Sequence, residues 1–89
     1  MATLLDRQVV DIAGSDAQLV ARLSEPLRRA LAGRCAWYGV HIEPFGRTGS
    51  VMVRINGPDG HLGLLLGTAD LEPQRLVSRV RDAVRRLDL

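Results

Sequence analysis

His41 and His61 are the two histidines of the chain and Cys35 its one cysteine. Imidazole and thiolate are the usual zinc ligands, but a zinc site takes three or four protein ligands, and the spacing of these residues supplies no such set. With no second cysteine there is no internal disulfide and no Cys-x-x-Cys pair, so Cys35 reads as a small apolar filler beside Trp37. Ser15, Ser24, Ser50 and Ser78 stand in no nucleophile-elbow motif. No two carboxylates share a context that would raise one of their pKa values for acid–base work. GRTG and NGPDG are rich in glycine, yet neither opens a helix or runs into Gly-Lys-Ser/Thr as a phosphate loop does, and hairpin turns account for both. The expectation is a protein that is not an enzyme and holds neither metal nor cofactor.

Arginine is what remains. All twelve basic residues are Arg, against ten acidic ones, for a net charge of +2. That total is too small to bind a polyanion by overall charge, so only a clustered distribution could serve. The use of Arg without Lys fits a GC-rich coding bias as well as any demand for guanidinium chemistry.

These side chains need elements to carry them. At 89 residues, with 46% hydrophobic and 25% charged residues, the chain is one domain of ordinary globular composition. No apolar run is long enough to cross a membrane and the first residues do not resemble an export signal, so a cytoplasmic protein is expected. RQVVDIAG reads as a short strand ended by Gly14. SDAQ looks like a capping box, Ser15 with Gln18, opening a helix whose apolar stripe is Leu19, Val20, Leu23, Leu27, Ala30 and Leu31. Pro26 should kink that helix or restart it from Ser24, and Gly33 should end it.

WYGVHIEPF, SVMVRIN and HLGLLLG alternate with period two between turn residues and form an antiparallel meander joined by FGRTGS and NGPDG. Their inward residues are Tyr38, Val40 and Ile42, then Val51, Val53 and Ile55, then Leu62, Leu64 and Leu66. Asp70 is expected to cap a last helix with Pro73 in its first turn, whose buried stripe is Leu76, Val77, Val80, Ala83, Val84 and Leu87. The fold expected is α+β: a two-layer β-α-β-β-β-α arrangement with both helices on one sheet face, similar to a double-stranded-RNA-binding domain. The other face would carry Gly39, His41, Glu43, Met52, Arg54, Gly63 and Leu65.

Arg22, Arg28 and Arg29 on the first helix, and Arg75, Arg79, Arg85 and Arg86 on the last, avoid the apolar stripes. Side by side, the two helices would merge these residues into one basic surface able to hold phosphates. Charged outer faces also arise simply to stay solvated, and Glu25, Glu72 and Asp82 partly neutralise this one.

The order of elements, with VVDIAGSDAQLVARLSEPLRRAL, then GRCAWYGVHIEPFG, then VMVRINGPDGHLGLLLGTADLEPQRLVSRVRDAVRRL, resembles the ribosome hibernation-promoting factors and the related ribosome-associated inhibitor A proteins. The resemblance implies binding to the small ribosomal subunit, with basic helix faces on ribosomal or other structured RNA. Carried over, the phosphate contacts fall on Arg22, Arg28, Arg29, Arg75, Arg79, Arg85 and Arg86.

HicA-type ribonuclease toxins share the general shape, but their histidine after Gly-Ser is here Val51. The other reading is a small protein-interaction domain, an inhibitor, accessory subunit or homodimeric scaffold, that uses Trp37, Met52 and Leu65 on the sheet face without helices.

Overall fold

Apolar residues at every second position and turn glycines at the ends make three hydrogen-bonded strands of the middle third of the chain. The computed structural model describes residues 9–33, 37–58 and 60–86. In order these form β1 (Val9–Gly14), α1 (Ala17–Leu31), β2 (Trp37–Phe45), β3 (Ser50–Gly57), β4 (Gly60–Leu66), a 3-10 turn (Thr68–Leu71) and α2 (Pro73–Arg86). This is the α+β order β-α-β-β-β-α, and the boundaries of β2, β3 and β4 lie within a residue of those expected. Arg7, Gln8, Cys35 and Leu87, which the sequence assigned to the first strand, a filler position and the last stripe, lie outside the described residues.

The four strands stand in the order β1-β2-β3-β4. The meander of β2, β3 and β4 is antiparallel, with Val53 opposite Ile42 on one side and Leu64 on the other. β1 runs parallel to β2, Ile12 beside Val40, so the sheet is mixed. A parallel neighbour needs a long crossover, which α1 supplies. Gly14 is required at the end of β1: a Cβ built there would stand 2.2 Å from the carbonyl oxygen of Ile42.

One side of the sheet is packed. Val10, Tyr38, Val40, Ile42, Val51, Val53, Ile55, Leu62 and Leu66 are buried against Leu23, Leu27, Ala30 and Leu31 of α1 and Leu76, Val77, Val80 and Val84 of α2. The helices also pack on each other. Ile12 at the β1 edge and Leu64 at the β4 edge are the inward strand residues that are only partly buried.

Three local expectations are corrected. Asp16, not Ser15, caps α1, its carboxylate accepting from the backbone N–H of Gln18 and Leu19 at 3.1 and 3.2 Å. α1 continues unbroken through Pro26, with no restart at Ser24, whose hydroxyl instead donates to the carbonyl of Val20 one turn back. Proline's fixed φ suits a helix and Pro26 is itself buried, so packing of the ring offsets the one lost hydrogen bond. Glu72, not Asp70, caps α2, accepting from the N–H of Gln74 and Arg75 at 3.3 and 3.2 Å. Gly33 does take the left-handed conformation that ends α1, with φ of +85°. No helix among the described residues is long and apolar enough to cross a membrane.

Candidate nucleic-acid interface and open sheet face

The arginines are helix-borne, so their directions follow from the 100° step of the helix and from what each reaches. Arg28 turns toward the outer edge of β1, where its Nη1 donates to the carbonyl of Val10 at 2.8 Å. Arg22 and Arg29 leave α1 on the opposite flank, the one facing α2. Across that junction Arg81 Nη2 donates to the carbonyl of Arg29 at 3.1 Å, near the C-terminus of α1, where the same carbonyl also accepts the N–H of Ala32 at 3.3 Å. Arg85, one turn beyond Arg81, extends the same line. Arg29 also pairs with Glu25 at 3.0 Å, an exposed i,i+4 contact.

Arg75, Arg79 and Arg86 lie roughly 120–160° around α2 from Arg81 by the same step and face β4 instead. Arg79 and Arg86 line a hollow with Leu64, Asp82 and Ala83. Asp70 draws Arg75 and Arg79 together, at 3.6 and 3.4 Å. This is why Asp70 does not cap the helix: its carboxylate is already turned to these two guanidiniums.

The seven arginines proposed from sequence thus do not form one surface. Arg22, Arg29 and Arg85 share the ridge between the helices, Arg28 serves the β1 edge, and Arg75, Arg79 and Arg86 belong to the β4 flank. Arg81 was absent from the sequence set and is the residue that joins the helices. It lies roughly 80° from the midpoint of the polar arc, a flanking position from which a side chain reaches a neighbouring helix. Among the described residues, Arg22, Arg85 and Arg86 have no hydrogen-bond or ion-pair partner.

The far side of the sheet carries a different chemistry. Trp37, Met52 and Leu65 all stand on it, and among the described residues the four large hydrophobics left exposed, from Val9 at 46% to Phe45 at 50%, with Trp37 and Leu65 at 49%, are all on this face. Met52 sits between Glu43 and Leu65 in the register. The Trp37 ring lies over Gly39, where a Cβ would come within 3.2 Å of it, and its Nε1 donates to Asp11 Oδ2 at 3.4 Å.

Ser15, Glu43 and His41 also meet on this side. The Ser15 hydroxyl donates to Glu43 Oε2, and His41 Nε2 lies 2.6 Å from Glu43 Oε1. The Ser15 hydrogen bond, aided by His41 and opposed by desolvation, holds the Glu43 carboxyl below the ordinary glutamate value. A nucleophilic triad needs the imidazole on the hydroxyl. Here the carboxylate stands between them, and the contact instead ties the turn after β1 to β2. Among the described residues no group of three or more His, Cys, Asp or Glu side chains could hold a metal ion.

No family model matches the chain, and no curated protein matches it. Among solved structures, the N-terminal domain of Protein Y from Thermus thermophilus is similar over 85% of this chain and 98% of that one, with 12% identity and a TM-score of 0.49. The likeness is weak by both measures and assigns no role to any residue.

Proposed function

We propose that this chain is a non-catalytic, ribosome-associated RNA-binding domain of the cytoplasm that holds RNA phosphates on the ridge between α1 and α2. The observation that carries the reading is the ridge itself: Arg22 and Arg85 stand there without a carboxylate partner among the described residues, on either side of the Arg81 link between the helices. The ribosomal part rests on the sequence resemblance, and the RNA part on this group of guanidiniums. Such contacts position a domain on RNA without reading its sequence.

Cosedimentation with small ribosomal subunits tests it. About three phosphate contacts predict a fall in affinity of roughly 20- to 40-fold between about 50 and 200 mM salt. Arg22→Glu with Arg85→Glu should abolish cosedimentation, whereas Arg79→Glu with Arg86→Glu, on the other flank, should weaken it far less. Undiminished binding of the Arg22/Arg85 variant overturns the ridge.

A second reading has its own support. The gathering of Val9, Trp37, Phe45 and Leu65 on the uncovered face favours a protein-interaction domain, and binding through that face would persist as salt rises.

A further inference from the structure

The two edges of the sheet are not equivalent. In the hairpin of β3 and β4, Gly57 and Gly60 are register partners either side of two residues; in a two-residue hairpin that flanking pair is the hydrogen-bonded kind, so Gly60, Leu62, Leu64 and Leu66 are the residues of β4 that bond to β3. The backbone groups of His61, Gly63 and Leu65 therefore point away from the sheet, and no described strand lies beyond them. The strand GHLGLLL carries neither proline nor a charged side chain to discourage pairing. At the opposite edge, Arg28 occupies the outward carbonyl of Val10.

The helix layer also stops short of β4. Leu64 is only partly buried whereas Leu62 and Leu66 are buried, and beside it lies the hollow of about 220 Å³ lined by Leu64, Ala83, Arg79, Asp82 and Arg86. A strand added to β4 would place alternate side chains against this hollow and the others beside His61, Gly63 and Leu65. The hollow is lined by apolar Leu64 and Ala83, by the Asp82 carboxylate and by two guanidiniums, of which Arg79 is paired with Asp70 and Arg86 has no partner among the described residues. A glutamate matches this chemistry, with methylenes for Leu64 and Ala83 and a carboxylate for the unpartnered Arg86.

We propose that the outer edge of β4 receives an extended segment of a partner protein in which glutamates on the helix side alternate with apolar residues on the open side. The site is separate from the ridge and stands or falls without it. A second copy is the wrong occupant, because its β4 would offer leucines where carboxylates are wanted and would bring its own Arg79 and Arg86 toward these.

The test uses the full isotope-labelled chain and two blocked synthetic peptides, Val-Glu-Val-Glu-Val and Val-Lys-Val-Lys-Val, with amide exchange and chemical shifts as readout. The glutamate peptide should protect the amides of His61, Gly63 and Leu65 and bind about tenfold more tightly than the lysine peptide. Arg86→Glu should reverse that preference, and Leu65→Pro, which removes an outward N–H, should abolish protection of the remaining two amides. Arg86→Glu decides the matter should Leu65→Pro fail to fold. Equal binding of both peptides, no protection at millimolar peptide, or protection that appears with protein concentration alone, as a β4–β4 dimer would give, overturns the proposal.

Discussion

Val53 and Met52 are neighbours on β3, yet they live in different chemical settings. Val53 is fully buried between the sheet and the helices, while Met52 lies on a face that no described element covers. The same contrast holds for the whole molecule. On the packed side apolar contact is complete except at the two sheet edges, where Ile12 and Leu64 are only partly buried, and the arginines are confined to the outer surfaces of the helices. On the open side half-exposed Val9, Trp37, Phe45 and Leu65 surround a few polar groups. A single alternating pattern produced both faces, and only the second layer distinguishes them. The lesson is that period two assigns residues to a side but does not say which side will be covered by what.

The sharpest way to break the comparison is a pair of truncations on β3. Ile55→Ala, in the packed layer, should lower the unfolding free energy by about 3–4 kcal/mol in a urea titration. Met52→Ala, on the open side, should change it by less than about 0.5 kcal/mol. Similar losses at the two positions would mean that something covers the open face in solution. A smaller effect is expected at the entrance to the packed layer: Asp16→Ala removes the acceptor of both capping hydrogen bonds at the start of α1 and should cost about 1 kcal/mol, while Ser15→Ala leaves this cap in place.

The smallest effect lies on the open face and depends on pH. Because the folded state holds Glu43 below its ordinary value, the carboxylate contributes stability above the unfolded pKa, and that contribution is lost as pH falls through the lower, folded one. The difference in stability between the native chain and Glu43→Gln should therefore be present near about pH 7 and shrink toward about pH 3 in parallel denaturant titrations. A gap that stays constant through the acid range would show that the Ser15 and His41 contacts do not act on the charged form.

These particulars also show what the sequence made legible. The strands of the meander and the inward-facing residues followed from alternation, because each run is bounded by turn glycines that local chemistry places. Both helices followed from their apolar stripes. The caps did not, because Ser15 and Asp16 are both good caps in isolation, and Asp70 is intrinsically a better one than Glu72, which takes the role. Distant partners decide between them: Glu43 on β2 takes Ser15, and Arg75 with Arg79 take Asp70. The parallel pairing of β1 with β2 has no local signal either. For the arginines the error was geometric. A position opposite the apolar stripe is outward, but the outward half of a helix spans about 180°, and a neighbour on one flank divides it into two destinations.

Trp37 is the only tryptophan in the chain, and its indole, bonded to Asp11, lies over Gly39 on the uncovered side. The protein's intrinsic fluorescence is consequently a gauge of contact at that surface and of the β1–β2 junction. An emission shift without loss of helical circular dichroism would register a visitor there while the interior remains folded.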